Sequence, residues 1–242
     1  MNKKELVSFV VGAVVLTIVF GFDDGSETFQ LSFWLINLLK SFATVLFCMF
    51  IYYAAQYFFA RIRDASIEYK LWTINRFTFK DYHVGDRPSV PIGIIIALLT
   101  SFVTGGSFFF TGVGTTEIIY EKSRRTGRRF TNIGEYESSL IYLAGPLALS
   151  IILFICNWLS FFEIDLTRIM TVSIYLLIFS ILPIPGLDGA KAFTNSRLAY
   201  VFFIAFVLLN VLLANVGINF AIFLSIIMAL IILGIYYYKW EK

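Results

Sequence analysis

Charge is what this sequence has least of. Only 14% of its 242 residues are Asp, Glu, Lys or Arg, against about 25% in a soluble domain, while 59% are apolar and the mean hydropathy is +0.81. An enzyme of the aqueous phase is excluded. Cysteine is scarce as well: Cys48 and Cys156 both lie inside apolar runs, which leaves neither a disulfide framework nor a paired-cysteine metal motif. Histidine occurs once, as His83. Paired intramembrane charges, a series of carboxylates along an ion path and an inverted repeat are all missing, so a small membrane transporter is a weak reading. The net charge of +3 comes from basic residues that flank apolar segments, which reports membrane topology; nucleic acid is not an expected partner.

What is present is apolar length. Runs between charged breaks predict an all-α polytopic membrane protein with about six transmembrane helices, near 6–22, 31–59, 139–160, 169–186, 198–214 and 219–238. At about 20 residues per crossing, six spans leave no room for a second, soluble domain, so 1–242 reads as one integral membrane domain. The stretch 6–22 lacks a small-residue cleavage pattern and reads as a span, not a signal peptide. Lys3 and Lys4 place the N-terminus in the cytoplasm, and the loop with Asp23, Asp24 and Glu27 falls outside. The segment 60–88 carries Arg61, Arg63, Lys70, Arg76, Lys80 and Arg87, and 114–138 carries Lys122, Arg124, Arg125, Arg128 and Arg129; both fall inside. A single crossing cannot join two cytoplasmic segments. The apolar run 89–113 is therefore expected to be a re-entrant or membrane-embedded hairpin, with Pro88 and Pro91 at its mouth and a bend at Gly105 and Gly106. A tilted full span is its alternative. Further along, Glu163 and Asp165 fall outside, Lys191 and Arg197 inside, and both ends of the chain are cytoplasmic.

Two charges lie within apolar surroundings. Lys40 is close enough to the headgroups to snorkel. Asp188 is different: it follows Pro183 and Pro185 at the cytoplasmic end of a span, where missing backbone donors break the helix and let a carboxylate face a cavity.

Residues 180–189, Ser-Ile-Leu-Pro-Ile-Pro-Gly-Leu-Asp-Gly, resemble the Asn-x-x-Pro-x-x-x-Leu-Asp-Gly signature of the site-2 protease family of intramembrane zinc metalloproteases. Ala144-Gly-Pro146 resembles the helix start that precedes it in the family, and the resemblance extends over about 31–197, leaving 1–30 and 198–242 as additional helices. It implies a site-2 protease-like core in which Asp188 takes the place of the third zinc ligand. The family's His-Glu-x-x-His motif puts two imidazoles on one helical face with a general base beside them. Here it is absent. Ala60-Arg61 and the following Glu68-Tyr-Lys-Leu-Trp72 resemble what succeeds that motif in archaeal-type members. Counting back places Tyr52 and Gln56 where the histidines stand and Tyr53 where the glutamate stands. None of the three is a zinc ligand of choice or a carboxylate base. Ser180 and Leu149 stand where the family has asparagine.

The implied function is that of a non-catalytic relative that binds transmembrane or membrane-proximal segments. Its alternative is an active intramembrane metalloendopeptidase with unorthodox metal ligands, for which Cys48, His83 and Asp188 offer three donors. No cofactor is expected on the first reading, zinc on the second; membrane lipid is the other expected partner. Without metal, Asp188 is expected to hydrogen-bond to at least one of Tyr52, Tyr53 and Gln56. Together with Ser180 these form either a clasp between two helices or a docking pocket.

Overall fold

The structure is a computed structural model that describes residues 3–23, 30–74, 90–119, 133–160, 162–215 and 221–240. It is mostly helical: α1 (Lys3–Phe20), α2 (Leu31–Ile62), α3 (Ile92–Thr104), α4 (Glu135–Ser160), α5 (Thr167–Ile181), α6 (Asp188–Asn195), α7 (Arg197–Asn215) and α8 (Ala221–Trp240). Two of these, α2 and α4, are long and apolar enough to cross a membrane. The expectation of an all-helical chain is corrected at one place, where β1 (Ser66–Leu71) and β2 (Gly114–Ile119) pair antiparallel with Tyr69 opposite Thr116. His83 and the basic run 122–129 lie outside the described residues.

Between the strands the chain makes an excursion and returns. Trp72 N–H donates to the Val113 carbonyl (2.9 Å) and Gly93 N–H to the Trp72 carbonyl (3.2 Å), so both ends of 93–113 sit beside the sheet. A Cβ on Gly93 would lie 2.6 Å from the Gly112 carbonyl oxygen, so only glycine allows that approach. At the far end α3 stops with Gly105 at φ +62° and a Gly106 N–H to Ser101 carbonyl bond (2.9 Å), the left-handed stop that glycine makes at a helix end. Gly106 there meets Phe22 and Asp23, just beyond α1. The return segment packs Phe108, Phe109 and Phe110 against Tyr175 and Phe179 of α5, Phe20 of α1 and Trp72.

The same far end is fastened by Asn37, whose amide donates to the Asp23 carbonyl (3.1 Å) and whose Oδ1 accepts from Arg168 (2.6 Å). Arg168 also donates to Ser41 (3.0 Å), so the start of α5 is tied to α2 and to the end of α1.

The predicted span 169–186 ends sooner. Leu182 precedes Pro183 and takes an extended conformation, φ −60° and ψ 137°, as steric conflict with the proline ring requires. α5 therefore stops at Ile181, and after six intervening residues α6 begins with Asp188. Gly186, at φ +94°, faces the Trp72 indole, whose Nε1 would lie 2.5 Å from a Cβ there. Gly189 rests on the carbonyls at the end of α5, 2.4 Å from a hypothetical Cβ. The Leu-Asp-Gly triplet thus sets α6 directly on the end of α5.

Candidate functional site

Proline and glycine in α4 prepare one wall of the site. Pro146 lacks an N–H, so the carbonyl four residues earlier, on Tyr142, loses its helical partner. Gln56 Nε2 donates to that carbonyl across the helix pair (3.1 Å). Beside it, Gly145 lets α2 approach: a Cβ at this position would fall 2.6 Å from the Tyr52 ring. Tyr52 and Gln56, four residues apart and on one helical face, are in this way held at α4.

Both then reach Asp188, which is 4% exposed. Its Oδ2 accepts from the Tyr52 hydroxyl (2.8 Å), Gln56 Nε2 (3.0 Å) and the Thr116 hydroxyl (3.1 Å). Its Oδ1 accepts from the Thr115 hydroxyl (2.8 Å) and the Thr116 backbone N–H (2.9 Å). Five donors therefore face a carboxylate that offers about four lone-pair directions. Gln56 Oε1 is buried without a partner among the described residues.

Lys191 completes the cluster from the next turn of α6. Its Nζ donates to the Thr115 hydroxyl (2.8 Å) and the Thr116 carbonyl (2.6 Å) and lies 5.5 Å from the centre of the Tyr142 ring, within cation–π range. Burial pushes the Lys191 ammonium below its ordinary pKa, against the attraction of Asp188 and Glu117. At Thr116, α6 thus satisfies the outward N–H with a carboxylate and the outward C=O with an ammonium, as a third strand would with its backbone. The opposite edge is closed as well: Tyr69 N–H donates to Glu5 of α1 (3.3 Å).

Of the residues singled out by sequence, Tyr52, Gln56, Ser180 and Asp188 come together, and the expected Asp188 bonds are present for Tyr52 and Gln56. Ser180 donates to the Leu177 carbonyl (2.9 Å) and borders the same cavity. Tyr53 differs. It borders the cavity, but its hydroxyl bonds to Glu5, because one residue along a helix turns a side chain by about 100°. Cys48 contacts the Ser173 hydroxyl (3.6 Å), and among the described residues no three His, Cys, Asp or Glu side chains converge. Thr115, Thr116, Lys191 and Glu5 were not anticipated. Lys191 had a signal, its spacing of three from Asp188 on a helix; the threonines had none, since only strand pairing brings them there.

The cavity measures about 50 Å³ and is walled mainly by apolar side chains of α1, α2 and α5, with Tyr52, Tyr53, Tyr69, Thr111, Ser180 and Asp188 as its polar members. Burial and the nearby Asp188 charge push the Tyr69 phenol above its ordinary pKa. No protein-family model, no curated protein and no solved structure matches the chain significantly.

Proposed function

We propose that this chain is a multi-pass membrane protein with a site-2 protease-like core, in which Asp188 serves as a clasp and which binds a transmembrane or membrane-proximal protein segment without cleaving it. Six helices, α1, α2, α4, α5, α7 and α8, cross the bilayer in this reading, and 92–113 re-enters from the cytoplasmic side. The charge distribution supports that orientation: Lys3, Lys4, Arg61, Arg63, Lys70, Lys191 and Arg197 gather at the end that holds the sheet, while the other end holds Asp23, Glu163 and Asp165 together with Arg168.

The observation that carries the proposal is the donor set around Asp188. Zinc in a site of this kind takes lone pairs from imidazole nitrogen and carboxylate oxygen. At Asp188 the carboxylate's lone pairs point at protons of Tyr52, Gln56, Thr115 and Thr116. A tyrosine and a glutamine stand where two imidazoles would be needed, and Tyr53 faces Glu5. These residues do not fit the metal.

The test is metal content together with cleavage. Purified protein is expected to carry far less than one zinc per chain and to leave a helix-breaking transmembrane test peptide uncut while binding it saturably in nanodiscs. Near-stoichiometric zinc that is lost on Asp188→Asn would refute the clasp, and absence of saturable peptide binding would refute the partner role.

A further inference from the structure

We infer that the cavity beside Asp188 binds a small neutral ligand made of a compact apolar body and a single hydrogen-bond acceptor, with the Tyr69 hydroxyl as the donor that selects it. The inference stands apart from the reading above, since neither a metal nor a protein partner enters it. Among the polar groups at the cavity, the Tyr52 proton is given to Asp188, the Tyr53 proton to Glu5, the Thr111 proton to the Tyr175 carbonyl and the Ser180 proton to the Leu177 carbonyl. Both oxygens of Asp188 are already engaged. Tyr69 is the exception. The residue is only 7% exposed and its backbone N–H is bound to Glu5, yet among the described residues its hydroxyl has no hydrogen-bond partner.

That hydroxyl is held in place by two glycines. A Cβ on Gly114 would lie 1.9 Å from it and a Cβ on Gly12 would lie 2.7 Å away, so β2 and α1 admit the hydroxyl only because neither carries a side chain at these two positions. A donor at the cavity wall that makes no bond to the described residues gains one from a ligand acceptor, so an acceptor at this point is favoured. The ligand's charge follows from Asp188: an anion is repelled, and a cation would need lone pairs that are taken. Its bulk follows from the volume. At about 10–15 Å³ per water-sized group, 50 Å³ holds roughly four. Leu16, Met49, Phe179 and Leu187 make the remaining wall apolar.

Butan-2-one has this chemistry, and 2-methylbut-1-ene has its shape without the acceptor. Both are titrated into nanodisc-embedded protein, with saturation-transfer NMR as the readout. The unmodified protein is expected to bind the ketone saturably and in preference to the alkene. Tyr69→Phe is expected to weaken ketone binding about fivefold, the equivalent of one neutral hydrogen bond, and to leave alkene binding unchanged, which also reports that the cavity is intact. Gly114→Ala, which displaces the hydroxyl, is expected to abolish the preference. Unchanged ketone affinity in Tyr69→Phe, equal loss of both probes, a retained preference in Gly114→Ala, or no saturable ketone binding by the unmodified protein each overturns the inference.

Discussion

Replacing Asp188 by asparagine keeps the side chain's size and removes its charge and one acceptor. The amide oxygen does best where donors cannot reorient, at the Thr116 backbone N–H, with the Thr115 hydroxyl alongside. The amide nitrogen then faces the Tyr52 hydroxyl, the Thr116 hydroxyl and Gln56 Nε2. The two hydroxyls rotate and become acceptors. Gln56 does not turn, because its Nε2 is also held by the Tyr142 carbonyl; one N–H is left facing another. A buried donor without a partner costs about 1–3 kcal/mol, and charge-assisted bonds give way to neutral ones worth about half as much. Relief from burying a charge offsets part of this. The net expectation is a loss of about 2–3 kcal/mol, which for a chain of this size lowers Tm by roughly 5–10 °C. Thermal unfolding in mild detergent reads the shift. In a double-mutant cycle, Tyr52→Phe and Asp188→Asn should couple by about 1 kcal/mol. A change in Tm under about 2 °C, with no coupling to Tyr52→Phe, would show that the carboxylate is not a clasp.

Two further outcomes follow from the packing. Gly145→Ala should cost about 1–3 kcal/mol by driving a methyl into the Tyr52 ring, whereas Gly105→Ala, where nothing lies within 4 Å, should lose only about 1 kcal/mol through its left-handed backbone; thermal unfolding of the pair separates crowding from strain. Lys70→Ala, despite a 2.6 Å contact with Glu117, removes a half-exposed ion pair and should change stability by less than about 1 kcal/mol in the same assay.

The sequence exposed the features that come from one segment at a time. Pro183 and Pro185 announced a broken helix and Asp188 a carboxylate that needs partners, and the family resemblance pointed to Tyr52 and Gln56, whose spacing of four sets them on one face. A hairpin was expected over 89–113 because a single crossing cannot join two segments on the same side; in the structure 93–113 leaves the sheet and returns to it. Tyr53 borders the cavity, but a turn of about 100° per residue in a helix hands its hydroxyl to Glu5 and not to Asp188. The sheet escaped notice although Ser66–Leu71 alternates polar and apolar residues strictly, a strand signal; its partner Gly114–Ile119 shows no such alternation and is separated from it by the excursion. With the sheet went Thr115 and Thr116. Lys191 was read as a topology marker, a role that says nothing of the threonine hydroxyl it holds.

The partners of Asp188 precede it by 72 to 136 residues, and this dictates an order of assembly. While the chain is being made, the residues of α2 and β2 are synthesised before those of α6, so the donors of Tyr52, Gln56, Thr115 and Thr116 precede the carboxylate they will meet. Contacts this far apart in sequence form late, after the local helices. Until residue 188 emerges, the growing chain carries an open polar seam between α2 and the sheet, and the arrival of α6 closes it. Any shortened product that stops before Asp188 keeps that seam, however many of its helices are complete.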